Sequence, residues 1–188
     1  MRSPRRIPVA LGAGALVALF VAQSASAHIE IEQPEVTAGS QAVVTLQVPH
    51  GCAGSATTEL RISIPEGITD VTPTRNANWN VNKVAEALAT PVTDSDGEQI
   101  TERVTEVDYT AITPLPDGYR DVFDLAMTIP ADAAGTTLYF PTIQTCEQGE
   151  TPWIDVPSAG QSEDDLEHPA PSVAVVAPGP DATDDHHD

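Results

Sequence analysis

The stretch Asp121-Val122-Phe123-Asp124-Leu125-Ala126-Met127-Thr128-Ile129 sets large apolar residues at every second position, 123, 125, 127 and 129. A repeat of two suits an extended strand with one buried face, whereas a helix needs a repeat of about 3.6. Two earlier runs, Ala42-Val43-Val44-Thr45-Leu46-Gln47-Val48 and Glu59-Leu60-Arg61-Ile62-Ser63-Ile64, alternate in the same way. Turn-forming residues separate the runs: residues 49–54, Pro65-Glu66-Gly67, Ser95-Asp96-Gly97, Pro116-Asp117-Gly118 and Ala134-Gly135. Short strands at this spacing, with no convincing amphipathic helix between them, predict an all-β protein built as an antiparallel β-sandwich. Residues 81–89 fit a short helix or a strand about equally. A further strand is expected over residues 137–143.

Further outwards, the chain opens with Arg2, Arg5 and Arg6, runs through an apolar segment at 7–22 and reaches the small-residue triplet Ala25-Ser26-Ala27. That order of charge, apolar run and A-x-A site describes a secretory signal peptide over residues 1–27, cut before His28. The pair Arg5-Arg6 also permits twin-arginine export. No later segment offers the roughly 20 apolar residues that a membrane helix needs, so the mature protein is expected to carry no membrane span.

Loss of the leader removes three arginines and leaves Arg61, Arg75, Lys83, Arg103 and Arg120 against all 28 acidic residues, which moves the net charge from −20 to −23. Nucleic acid and anionic lipid become poor partners, and cations good ones. Cys52 and Cys146 are the two cysteines of the chain. In an exported protein they are expected to form a disulfide, the alternative being two free thiols for copper(I). After Gly160 the composition turns acidic and proline-rich, and Asp164, Asp165, Glu167, Pro169 and Pro171 offer little apolar surface with which to order themselves. The sandwich domain is therefore expected over residues 28–176, with an acidic disordered tail at 177–188 that ends in His186 and His187, a weak metal-scavenging tag or a solvated end.

Cleavage before His28 would give one residue both an α-amine and an imidazole, which can close on a single ion as a chelate. An amine titrating near about 7.8 and an imidazole near about 6.5 both release their protons to a metal at modest cost around neutral pH. Nitrogen donors combined with carboxylate suit copper(II), which also heads the divalent affinity order. Glu30, Glu32 and Glu35 supply carboxylates within the first eight mature residues, and spacing alone does not choose among them. Met127 is the single methionine after the leader and sits in a strand pattern, so a thioether copper(I) site is disfavoured.

An ordered set of segments resembles the YcnI-like bacterial copper-binding proteins. These are His28-Ile29-Glu30, Gln33-Pro34-Glu35, Val48-Pro49-His50-Gly51-Cys52, Ile64-Pro65-Glu66-Gly67-Ile68, Leu115-Pro116-Asp117, and Gly135-Thr136-Thr137-Leu138-Tyr139-Phe140-Pro141 running on to Trp153. The resemblance spans residues 28–175 and implies a cupredoxin or immunoglobulin-like sandwich. It further implies copper(II) held in a single-histidine brace by His28 and Glu35, with Trp153 close to the metal. Trp79 matches a family position and is read as core, and His50 as a turn residue before a second ligand. Asp108-Tyr109-Thr110-Ala111 departs from the tryptophan-glycine segment of the family.

The function expected from these readings is a non-enzymatic copper chaperone, store or homeostasis protein, periplasmic, envelope-bound or secreted, that exchanges copper with other envelope copper-handling proteins. Two alternatives compete with it. One is a copper monooxygenase, for which an aromatic content of 4% leaves little material for a substrate-stacking face. The other is a metal-free immunoglobulin-like interaction module.

Overall fold

The computed structural model describes residues 28–93 and 97–179. The leader at 1–27 and the tail histidines His186 and His187 lie outside the described residues. Among the described residues twelve strands follow one another: β1 (Glu30–Ile31), β2 (Glu35–Thr37), β3 (Gln41–Val48), β4 (Thr57–Ser63), β5 (Val71–Pro73), β6 (Trp79–Thr93), β7 (Gln99–Leu115), β8 (Asp121–Thr128), β9 (Thr137–Tyr139), β10 (Thr142–Cys146), β11 (Glu150–Trp153) and β12 (Ser172–Val176). They form a four-stranded sheet ordered β1-β3-β8-β5, a five-stranded sheet ordered β11-β10-β4-β7-β6, and a three-stranded sheet ordered β2-β12-β9. Among the described residues the strands pair antiparallel except β2 with β12, where Glu35 lies opposite Ala174. The sandwich expected from the alternating runs is therefore present.

The run at 121–128 is β8, one of the two inner strands of the four-stranded sheet, paired with β3 from Gln41↔Thr128 to Val48↔Asp121. Its register turns Phe123, Leu125 and Met127 inwards, against Leu60 and Ile62 of β4 and Val107 and Tyr109 of β7. Phe123 is the hub. Trp79 meets it edge-on at 5.0 Å and Tyr109 at 4.8 Å, the tilted geometry that aromatic quadrupoles favour. Each such side chain taken fully out of water stabilises the fold by roughly 1.5 to 3 kcal/mol. Trp79 and Met127 are core residues, as their patterns predict.

Residues 81–89 are strand, because β6 pairs with β7 along the same hairpin. The strand expected over 137–143 is interrupted. Phe140 and Pro141 separate β9, which joins the three-stranded sheet, from β10, which joins the five-stranded one. Proline lacks the amide proton that a continuing ladder needs, so the chain changes sheets there. The segment after Gly160 also corrects its expectation. Ser162 caps a 3-10 turn at Glu163–Asp165 with a reciprocal Asp165 contact, Ala170 is buried, and β12 buries Val173 and Val175. Alternation in Ser172-Val173-Ala174-Val175-Val176 outweighs the acidic composition before it.

Cys52 and Cys146 are bonded across a sequence separation of 94 residues. Cys52 follows β3 in a tight turn closed by Cys52 N donating to Ser55 O at 3.0 Å. Gly51 must precede it, because a Cβ there would lie 1.8 Å from the Ser55 carbonyl oxygen.

On the outer face of the five-stranded sheet, Glu106 and Asp108 of β7 point the same way beside Glu59 and Arg61 of β4. Burial, and then the Asp108 carboxylate, push the Glu106 carboxyl above its ordinary range, with Arg61 opposing. Its folded value is the higher one, so Glu106 favours the fold below the ordinary carboxylate range and loses that contribution as pH rises. Glu106→Gln is accordingly expected to raise the melting temperature at pH 7, with the gap to the unsubstituted protein closing below about pH 4. Thermal melts at the two pH values check this.

Candidate functional site

The chain from His28 is fastened down immediately. Ile29 is 2% exposed and enters the core, while Glu30 pairs with Gln47 and Ile31 with Leu46. Glu32 N donates to Thr45 O, and Gln33 exchanges two hydrogen bonds with Thr45, at 2.9 Å to its backbone amide and 3.1 Å from its own side-chain amide. A segment anchored along β3 in this manner holds His28 at a defined place at one pole of the sandwich, half-buried.

Trp153, the last residue of β11, packs beside it. The two ring centroids are 5.5 Å apart, with planes at 61°. The indole is 4% exposed, and its Nε1–H donates to Gln144 Oε1 at 2.9 Å. Gln144, 1% exposed, in turn donates through Nε2 to the His50 carbonyl at 2.7 Å and to Thr57 Oγ1 at 2.8 Å. Thr57 reaches Cys146 Sγ at 3.9 Å. A buried amide left with an empty donor or acceptor costs about 1 to 3 kcal/mol, so this satisfied chain from disulfide to indole fixes the indole's edge. His50 contributes its backbone carbonyl, and its ring Nδ1 lies 2.5 Å from the Gly51 carbonyl, consistent with its reading as a turn residue.

A cleft of about 250 Å³ opens at His28, lined also by Glu30, Glu163, Asp164 and Ser172. Glu35 is exposed in β2, opposite Ala174, two residues along β12 from Ser172. It stands one strand over from the cleft without lining it, a backbone distance on the order of 8 Å from Ser172. Glu32 is taken up by Arg120, 2.8 Å away. Among the described residues no three His, Cys, Asp or Glu side chains gather into a ready-made metal cluster. An α-amine on His28 would add a nitrogen donor outside that set of side chains, and imidazole, amine and carboxylate are a donor set suited to copper(II).

Sequence reasoning singled out His28, Trp153 and the early glutamates and missed Glu163, Asp164 and His168. His168 lies against Trp153 with ring centroids 5.5 Å apart. The signal that would have found these three is the alternation at 172–176, which shows that the fold continues past the acidic segment and so contains it.

Fold and pole together define a disulfide-tied β-sandwich module with a histidine packed on a buried tryptophan at one end. A protein from Nocardia farcinica described as having an immunoglobulin-like fold is similar to it, at 22% identity and a TM-score of 0.60, covering 80% of this chain and 99% of that one. The sixth cohesin of scaffoldin B from Acetivibrio cellulolyticus, solved with a dockerin, resembles it more loosely, at 13% identity and a TM-score of 0.43 over 79% of this chain and 97% of that one. No curated protein matches the chain. The chain belongs to the family described as a domain of unknown function, DUF1775, whose model matches residues 28–175.

Proposed function

We propose that this chain is an extracytoplasmic copper(II)-binding protein that receives and passes on the ion without catalysis, holding it at the N-terminal histidine exposed by cleavage before His28. The observation that carries this reading is the contact between His28 and Trp153 at a pole where the main chain is pinned and the indole is locked by Gln144. The YcnI-like resemblance, within the same domain group, supports copper as the cargo. The disulfide supports an oxidising compartment.

In this reading the His28 amine and imidazole Nδ1 chelate the ion, a carboxylate neutralises part of its charge, and Trp153 shields one side from water. Anchoring of Ile29 to Gln33 keeps the amine from swinging away. The acidic cleft raises the local cation concentration at the entrance. A monooxygenase is disfavoured by the surface, since Tyr119 is the exposed large aromatic among the described residues.

Glu35 is the proposed carboxylate ligand and Glu30 its competitor in the cleft. Glu35→Gln is expected to lower copper(II) affinity about tenfold, or about 1.4 kcal/mol, and to change the electron paramagnetic resonance spectrum. Glu32→Gln should leave the spectrum unchanged, because that carboxylate is engaged by Arg120. A spectrum altered by Glu30→Gln and untouched by Glu35→Gln would move the ligand into the cleft. Copper stoichiometry on protein of verified N-terminus separates this reading from a metal-free interaction module.

A further inference from the structure

The Trp153 indole has an imidazole neighbour besides His28. His168 meets it at a centroid distance of 5.5 Å and an angle of 76°, the same distance as His28 and a similar tilt. One indole is thus contacted by two imidazoles, contributed from the beginning and the end of the domain.

His168 reaches that place through a clasp on the residue two positions after Trp153. His168 N donates to Asp155 Oδ2 at 3.1 Å, Asp155 N donates to His168 O at 3.0 Å, and Ala170 N donates to Asp155 O at 2.8 Å. The intervening loop is itself closed. Ser162 and Asp165 form the reciprocal cap of the 3-10 turn, and Ser172 Oγ donates to Glu163 Oε1 at 2.8 Å. The chain thus spends a three-point clasp on Asp155, two bonds to its backbone and one to its carboxylate, and a capped turn on returning one ring to Trp153. Such a turn also sets Glu163 and Asp164 at the His28 cleft.

The hydrogen bond to Gln144 fixes the indole at Nε1 only. The ring is otherwise buried in the core, and its aromatic neighbours among the described residues are the two imidazoles, so His168 is the ring contact that faces the indole from the far end of the domain. We propose that His168 is a positioning residue, which holds the Trp153 indole in register with His28 so that the metal-binding pole is preorganised. This rests on the copper reading for its purpose, while the ring contact itself is independent of metal.

The test uses the full mature protein with its native terminus, as His168→Ala and as His168→Phe, the latter keeping an aromatic ring without nitrogen. Trp79 and Trp153 are the two tryptophans, so the metal-free protein has two indole N–H resonances, with Trp79 an internal check on folding. In His168→Ala the Trp153 resonance is expected to shift and its hydrogen exchange to quicken at least tenfold, with Trp79 unchanged, and His168→Phe should restore both. With copper(II) added, His168→Ala should lose about tenfold in affinity and show an altered electron paramagnetic resonance spectrum, again restored by phenylalanine. An unchanged Trp153 resonance in His168→Ala overturns the proposal. So does a changed resonance with unchanged copper affinity and spectrum, which would make the contact structural only. Failure of His168→Phe to rescue the copper spectrum while it rescues the resonance also overturns it, by making the imidazole itself a ligand. If the unsubstituted protein takes up no copper(II), the copper reading fails, and the metal-free resonances still decide whether His168 holds the indole.

Discussion

Placing a single glycine or methionine before His28 is expected to lower copper(II) affinity by a hundredfold or more, about 2.7 kcal/mol. The extra residue converts the α-amine of His28 into an amide, whose nitrogen is a far poorer donor at neutral pH, and opens the chelate that amine and Nδ1 form together. The rest of the pole should be untouched, because Ile29 stays in the core and Glu30 stays paired with Gln47. Competition titration against a chromophoric copper chelator, on both forms with masses verified, measures the difference. Equal affinities would refute the brace.

Replacing Cys52 and Cys146 together by alanine is expected to destabilise the fold by about 4 to 5 kcal/mol on the chain-entropy model for a loop of this size. The separation of 94 residues is what makes the expected effect large. The backbone at the bond itself should hold, because Cys52 N, which donates to Cys146 Sγ at 3.0 Å, also donates to the Ser55 carbonyl at 3.0 Å and keeps that partner. Denaturant titration of the two proteins reads the stability change, and a change below about 1 kcal/mol would show that the β-sheet ladders alone hold that pole together. The loss should also reach the indole, since Gln144 and Thr57 lie between the disulfide and Trp153.

Legibility in the sequence followed the range of the interactions involved. Strands β3, β4 and β8 were readable because each buries one face, which writes a repeat of two into consecutive residues. The region 81–89 was ambiguous because this stretch of β6 has no buried face, most of its residues being exposed, so that pairing with β7 alone makes it a strand. Composition misled at 160–171, where a few hydrogen bonds to Asp155 and Ser162 order a segment poor in apolar residues. His28 stood out through its position after the small-residue triplet Ala25-Ser26-Ala27, where cleavage is expected. Its contact with Trp153 was available only through family resemblance, and that with His168 on Trp153 not at all, because no local pattern records which rings meet across a sandwich.

The parallel pairing of β2 with β12 joins the first strands of the domain to its last. A chain is synthesised N-terminus first, so His28 waits for almost the whole domain to be made before Trp153, His168 and β12 can close around it. Contacts so distant in sequence form late in folding. Completion of the pole thereby doubles as a check on chain integrity: a product truncated before Ser172 lacks the strand that joins β2 to β9, and so leaves the beginning and end of the domain unfastened.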